Sequence, residues 1–433
     1  MSDSLKPLKV GIAGLGTVGV GVIKILRDHA DLLSQRVGRS IEVSAVSARN
    51  KGRDRGVDLS GFAWCDDATA LASIDDVDMV VELIGGSDGP ALALARETLK
   101  AGKAFITANK ALIAIHGKEL AALSEEHNAP LRFEAAVAGG IPILKALAEG
   151  LAGNQVSGLY GILNGTCNYI LTRMEREGLD FAEVLSDAQR LGYAEADPTF
   201  DIDGIDTAHK TAILAAIAFG MAPDFDNMPV EGIRNIMPVD IDYAKELGYR
   251  IKLLGLARKT EDGVEARVIP AMVPLSGALA NVMDATNAVV VNGDFVGPTV
   301  YVGAGAGEGP TASSVVADII DVARGNVYPA FGVPVACLRD LPTLPADKHS
   351  GTYYIRLRVT DRPGVMADIT AALASESVSI ESLIQRGTEV DDGVYIIMTT
   401  HQTVESSALS ILKHFNALEC VLETPTLIRI ETF

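Results

Sequence analysis

The stretch "LKVGIAGLGTVGVGVIKIL", residues 8 to 26, constrains the fold more than any other part of the chain. A short apolar run meets a turn carrying Gly14, Gly16 and Gly19 in the G-x-G-x-x-G register, and a helix with apolar residues at helical spacing follows. Glycines at those places permit a sharp turn, let the backbone approach a pyrophosphate, and let the helix pack close to the strand. The helix start at Gly14, Leu15, Gly16, Thr17, Val18 and Gly19 then offers free N–H groups to phosphate oxygens. A glycine turn by itself also occurs for packing reasons alone; here the strand and helix that the motif requires flank it.

Further strand signals at "IEVSAVS", "VDMVVELIGG", "KAFITANK" and "LRFEAAV" alternate with helical stretches, so the first third is expected to be a Rossmann-type doubly wound parallel sheet. After the second strand, where an acid would receive the ribose hydroxyl of NAD, the chain reads "SARNKGRDR". Arg49, Lys51 and Arg53 suit a 2′-phosphate, so NADP is preferred and NAD remains possible. An ordinary solvated basic loop is the plain alternative. In "TANK", Lys110 should emerge at the carboxyl edge of the sheet, where such folds bind ligands; it could touch cofactor, substrate or water.

At 433 residues the chain is too long for one typical domain, and 48% hydrophobic with 21% charged residues is ordinary globular composition. A net charge of −19 argues against nucleic acid or an anionic membrane as partner. No apolar run approaches the ~20 residues of a membrane span, and "MSDSLKPLKV" holds no signal core. Cys65, Cys167, Cys337 and Cys420 are scattered without C-x-x-C spacing. A cytoplasmic setting is expected.

"LGYAEADPTFDIDGIDTAHK", residues 191 to 210, gathers Glu195, Asp197, Asp201, Asp203 and Asp206 ahead of His209 and Lys210. It is no calcium loop, because the glycine is misplaced from Asp201 and no Glu closes the loop. "IDTAHKTAILAAIAFG" predicts a helix ending at Gly220, which puts Asp206 and Lys210 one turn apart on one face. The plain reading is a surface ion pair worth ~0.3 to 0.5 kcal/mol. A second glycine-rich loop, "VGAGAGEGPTASSVVADII" with Gly303 and Gly305, leads into a helix as another backbone approach to a ligand would, although a flexible turn would also read this way. Cys167 has no histidine close in sequence to activate it.

"RDLPTLPADKHSG" reads as a linker, with Pro342 and Pro345 among polar residues. Behind it the pattern runs strand, helix, strand, strand, helix, strand, the ferredoxin-like order. A module of that kind behind a complete enzyme suggests regulation.

Taken in order, "GLGTVG", "TANK", "NGTCNYIL", "GYAEADPTFDIDGIDTAHK" and "GAGAGEGPTASS" resemble the long, regulated form of homoserine dehydrogenase over nearly the whole chain. The resemblance implies a Rossmann domain at 1–140, an α+β catalytic and dimerisation domain at 141–338 whose last helices return to the first, a linker at 339–350 and an ACT domain at 351–433. It implies reversible NAD(P)H-dependent reduction of aspartate 4-semialdehyde to homoserine, on the route to threonine, methionine and isoleucine. Lys210 matches the family's proton donor, Asp206 its orienting or substrate-binding acid, Glu195 its substrate-binding acid with Asp201 assisting, and Lys110 a cofactor and substrate contact. "FEAAVAGGIPIL" is similar to the family's monovalent cation site, which would use Glu134 and the carbonyls of Val137, Gly139 and Ile141 for sodium. Asp361, Arg362, Pro363, Gly364 and Val365 in "DRPGVM" resemble an amino-acid-binding turn, with threonine the expected effector and a homodimer or homotetramer the expected assembly. Two other readings stay open: another semialdehyde oxidoreductase, which would need Cys167 as an activated nucleophile, and a non-catalytic amino-acid sensor.

Overall fold

The structure is a computed structural model and describes residues 6–390 and 393–432, with the backbone alone at 387–390. Its first sheet is built from β1 (Leu8–Ala13), β2 (Ile41–Ser47), β3 (Ala63–Cys65), β4 (Met79–Glu82), β5 (Ala104–Thr107) and β6 (Leu131–Arg132). All are parallel, in the order β3-β2-β1-β4-β5-β6. Between them run α1 (Thr17–Asp28), α2 (Ala30–Val37), α3 (Pro90–Lys100) and α4 (Lys110–Glu126). β1 and β4 are near-continuous apolar runs because helices cover both faces of the sheet. The strand order reverses between β1 and β4, and such a switch point opens a crevice at the carboxyl ends of the strands.

"LRFEAAV" forms less strand than its composition predicts. Only Leu131 and Arg132 pair, and Glu134–Ala136 coil into a tight turn. The cause is tertiary: the Glu134 N–H donates to Asp318, and its carboxylate accepts from the N–H groups of Leu144 and Lys145.

The middle of the chain forms α5 (Ile143–Lys145), β7 (Val156–Ile162), α6 (Gly165–Glu177), α7 (Phe181–Arg190), α8 (Thr199–Ile202), α9 (Ile205–Phe219), α10 (Pro238–Glu246), β8 (Tyr249–Lys259), β9 (Val264–Pro274), β10 (Thr286–Gly293), β11 (Gly297–Ala304) and α11 (Glu308–Arg324). α9 is buried almost all round, as its alanine and leucine content allows, and is a core helix. α11 packs back on α1 over the first sheet. Gly21 makes this possible, since an added Cβ there would stand 2.8 Å from Cγ of Glu308.

The tail holds β12 (Ser350–Thr360), α12 (Val365–Ser375), β13 (Ile380–Val390), β14 (Gly393–Thr400), β15 (Thr403–Val404), α13 (Glu405–Asn416) and β16 (Thr426–Ile430), with β16-β12-β14-β13 in ferredoxin-like order. Its sheet is not separate. β16 pairs in parallel with β9, Arg429 against Ala271 and Ile430 against Met272, so one sheet runs β11-β10-β7-β8-β9-β16-β12-β14-β13.

Buried charges hold this seam. Arg267 of β9, 1% exposed, donates to Glu405 at 2.9 Å and to Glu431 at 3.0 Å. Arg429 donates to Glu405 and, at 2.6 Å, to Glu231. Elsewhere in the interface Asp240 of α10 accepts from the Tyr354 hydroxyl at 2.9 Å and Arg356 at 2.8 Å. The expected linker is likewise pinned: Arg339 N–H donates to the Gly220 carbonyl, Val264 N–H to that of Pro342, and Leu344 N–H to that of Val264. Among the described residues no helix is long and apolar enough to cross a membrane.

Candidate functional site

Gly204 adopts φ +87°, which ends α8 and starts α9 immediately after it. Asp206 falls in the first turn of α9, where the helix dipole favours a carboxylate, and Lys210 follows one turn later. The pair is not on the surface; both residues are buried. Lys210 Nζ donates to Asp206 Oδ2 at 2.8 Å and to the Leu163 carbonyl at 2.7 Å. Lys110, the first residue of α4, brings its ammonium to Asp206 Oδ1 at 2.9 Å from the other side, and its side chain stays 33% exposed. Asp206 thus lies between two lysines, one from each half of the molecule.

Asn164 completes the group. Its Oδ1 caps α6 by accepting the Cys167 N–H, and its Nδ2 donates to Asp201 and to Asp206, each at 2.8 Å. The Leu163 carbonyl also accepts from Asn287 Nδ2 at 3.0 Å.

Burial would raise the Asp206 carboxyl, but Lys210 and Lys110 outweigh it and hold the group well below the usual carboxylate range. For Lys210, burial lowers the ammonium below its ordinary value, with Asp206 opposing and Lys110 adding to the effect. A buried lysine with a depressed pKa exchanges its proton more readily near neutrality than a solvated one. Burial raises Asp201 against the Asn164 hydrogen bond. Cys167 is buried, its thiol pushed well up by desolvation, and its Sγ donates to the Asp201 carbonyl at 3.2 Å. It is therefore no nucleophile.

His209 lies between Phe225 and Phe200, with ring centroids 4.3 and 5.6 Å away, and burial with the nearby Lys110 lowers it to about 4. The ring is neutral in the folded state and takes up a proton on unfolding below its ordinary pKa of 6.5. Stability should therefore fall as pH drops from 6.5 toward 4 and level off below, by about 3 kcal/mol at the limit. Urea titrations of wild type and His209→Leu across that range check this; an unchanged slope in the variant would remove His209 as the source.

On the cofactor side, the three glycines of the first turn divide their work. A Cβ on Gly14 would sit 2.4 Å from the Leu83 carbonyl oxygen and one on Gly19 2.1 Å from that of Gly14, whereas Gly16 faces open space. Packing demands the outer two, and the middle one leaves room for a ligand. Leu15 is buried, Thr17 is exposed, and no side chain caps α1, so its first N–H groups are available. Arg49, Lys51 and Arg53 are exposed beyond the end of β2. Arg55, which sequence reasoning passed over, pins this loop by donating to the Leu15 and Asn50 carbonyls.

The second glycine loop is no flexible turn. A Cβ on Gly305 would collide with Asn287 at 2.0 Å, one on Gly139 with the Gly305 carbonyl oxygen at 2.4 Å, and Gly140 N–H donates to the Ala304 carbonyl at 2.9 Å. Gly303 to Gly307 is wedged beside Asn287, which shares the Leu163 carbonyl with Lys210. Glu195, by contrast, is exposed on the segment before α8 and makes no ion pair with Lys110 or Lys210. The turn Asp361 to Gly364 is exposed at the start of α12, with Gly364 at φ +99° and Val365 buried. Asn287 and the Leu163 carbonyl gave no signal in the sequence, and Asn164 was not singled out there, although an asparagine ahead of a helical run is an N-cap signal that could have found it.

Family models match the chain in sequence order: the homoserine dehydrogenase NAD binding domain over residues 14–134, homoserine dehydrogenase over 142–320 and the ACT domain over 353–420. The homoserine dehydrogenase of Neisseria gonorrhoeae is 47% identical, with 99% of each chain covered. The chain belongs to the homoserine dehydrogenase family. That of Pseudomonas aeruginosa is 46% identical over 99% of each chain. Among solved structures, a homoserine dehydrogenase from Thiobacillus denitrificans superposes with a TM-score of 0.93 at 46% identity over 98% of both chains. One from S. aureus gives 0.76 at 30% identity over 99% of this chain and 100% of its own. A hyperthermophilic archaeal homoserine dehydrogenase solved with NADPH shares the fold, with a TM-score of 0.65 at 24% identity over 75% of this chain and 99% of its own. As a homoserine dehydrogenase the chain is an NAD(P)-dependent oxidoreductase.

Proposed function

We propose that this homoserine dehydrogenase uses Lys210 as the proton donor and acceptor at the substrate oxygen, with NADP as its preferred cofactor. The observation that carries the reading is the Lys110–Asp206–Lys210 array, with Asp206 and Lys210 buried and Lys110 at its open side. When bound, a nicotinamide would supply hydride to the aldehyde carbon of aspartate 4-semialdehyde or take it from the hydroxyl-bearing carbon of homoserine. Negative charge then develops on the aldehyde oxygen, and a donor positioned there lowers the barrier. Lys210, with its depressed pKa, gives up a proton to that oxygen; Asp206 fixes its direction and keeps it charged until transfer. Lys110 adds positive charge at the mouth of the site. The substrate ammonium is assigned to Glu195 and Asp201. Glu195 is exposed on the segment that runs into α8, with its carboxylate open to a substrate ammonium.

The cofactor phosphates are assigned to the α1 amino terminus and the 2′-phosphate to Arg49 with Lys51. Lys51 also lies 5.8 Å from the centre of the Trp64 ring. A monovalent cation such as sodium would rest on the backbone carbonyls of Val137, Gly139 and Ile141, where Ala138 at φ +54° and Gly139 at φ +50° coil the chain. Glu134, whose two oxygens each accept one N–H group, from Leu144 and Lys145, keeps lone pairs for the same ion. The ion would brace this turn against the second glycine loop.

Threonine is the proposed effector at Asp361 to Val365, in keeping with the ACT match and with a role in the pathway to threonine, methionine and isoleucine. A homodimer through β11 is supported by its position at a sheet edge, by exposed Val300 and Val302, and by Phe295 at 89% exposure beside it.

One assay tests the set: homoserine-dependent reduction of NADP and NAD by purified protein. NADP should be favoured, and Arg49→Ala should lower kcat/KM for NADP at least about tenfold while sparing NAD, the loss of one charge-assisted hydrogen bond. Equal use of the two cofactors by the wild type would refute the 2′-phosphate reading. Added threonine should slow the wild type and not an Asp361→Ala variant; a rate indifferent to threonine removes it as effector.

A further inference from the structure

Glu82, the last residue of β4, is 0% exposed at the carboxyl edge of the sheet. A buried carboxylate costs several kcal/mol unless hydrogen bonds satisfy it, and its partners here are neutral donors. Oε1 accepts the N–H groups of Ile84 at 2.6 Å and Gly85 at 3.0 Å; Oε2 accepts the Thr107 hydroxyl at 2.5 Å.

What the acid joins is informative. Ile84 and Gly85 continue from Leu83, whose N–H donates to the Ala13 carbonyl and whose own carbonyl packs under Gly14 of the first glycine turn. Thr107 begins "TANK". Having given its one proton to Glu82, its oxygen accepts the Asn109 N–H at 2.9 Å. Asn109 in turn donates Nδ2 to the Gly86 carbonyl at 2.6 Å, and its Oδ1 caps α4 by accepting the Leu112 N–H at 3.1 Å. The next residue is Lys110. One carboxylate therefore sits at the centre of a chain of hydrogen bonds that runs from the cofactor turn to the lysine reaching Asp206.

We infer that Glu82 is a positioning residue that sets Lys110 relative to the nicotinamide crevice, acting through Thr107 and Asn109. This rests on the proposed role of Lys110 in the site. Glutamine at 82 can still accept from Ile84 and Gly85 through one oxygen, but its NH2 then meets the Thr107 oxygen, and the hydroxyl proton must turn elsewhere.

The test is a set of folded variants, checked by thermal melting, assayed for kcat and for KM of both substrates: Glu82→Gln, Thr107→Val, Thr107→Ser, Lys110→Ala and the double variant Glu82→Gln/Lys110→Ala. Glu82→Gln and Thr107→Val should each lower kcat at least about tenfold, Thr107→Ser should keep it, and Glu82→Gln should add nothing once Lys110 is absent. The inference is overturned if Glu82→Gln and Thr107→Val stay within twofold of wild type, or if Glu82→Gln costs the same factor with and without Lys110. Should Glu82→Gln fail to fold, equal loss in Thr107→Val and Thr107→Ser overturns it instead. A normal kcat in Lys110→Ala would instead strike the role of Lys110 itself, and with it the link to Glu82.

Discussion

Lys210→Ala is expected to lower kcat for homoserine oxidation by about 10³-fold, within the range contributed by a positioned acid–base group, without unfolding the protein. The second half of that expectation follows from the site's geometry. Removing the ammonium leaves Asp206 with Lys110 at 2.9 Å and Asn164 at 2.8 Å, and leaves the Leu163 carbonyl with Asn287 at 3.0 Å. No buried charge or carbonyl is orphaned, so the variant reports chemistry rather than collapse. Lys210→Arg should fail to rescue, because a guanidinium holds its proton across the working pH range and needs more room. Steady-state rates beside a thermal melt decide it; a kcat within tenfold of wild type would reassign Lys210 to a structural role.

Glu405→Gln is expected to cost about 3 to 5 kcal/mol of stability, the usual result of removing one partner from a buried ion pair. Glu405 is fully buried and accepts from both Arg267 and Arg429, so the change weakens two buried charge-assisted contacts at once, leaving Arg267 to Glu431 and Arg429 to Glu231. Thermal melting should drop by roughly 3 to 6 °C. Cutting the chain before residue 350 is the harsher version. It deletes Arg356, Glu405, Arg429 and Glu431 at once, leaving Arg267 to Glu265 and Asp240 to the Met237 N–H, and it exposes the edge of β9. The shortened protein should aggregate or melt far below the full chain; a wild-type melting temperature for it would show the seam to be dispensable.

What the sequence made legible was local. The strand, glycine turn and helix at residues 8 to 26 lie within one supersecondary unit, and the order of strands and helices in the tail needs only period and length to be read. The i, i+4 relation of Asp206 and Lys210 was equally plain. That both are buried was not, because the burial comes from β8 and β9, far along the chain, packing over α9. Asn287 and the Leu163 carbonyl were invisible for the same reason, and a carbonyl carries no side-chain signal at all. Pro342 illustrates a different gap. Proline among polar residues suggested a linker, yet proline lacks only an N–H, and the Pro342 carbonyl accepts from Val264 and clips the segment to the sheet. The pairing of β16 with β9 depends on an edge left free by one unit and filled by another, which no local pattern encodes.

That shared sheet limits how the tail could speak to the active site. A ligand at the start of α12 would find no hinge to swing, since β9 and β16 are strands of one pleated surface. Arg429 grips Glu231, and Ile233 N–H donates to the Ile202 carbonyl at 2.9 Å, one residue from Asp201. Any message would have to travel as a small change of twist along stiff material. Thermodynamic reciprocity then makes the traffic two-way: a homoserine analogue that tightens the catalytic end must alter the tail's affinity for its effector by the same factor that the effector alters the enzyme's affinity for the analogue.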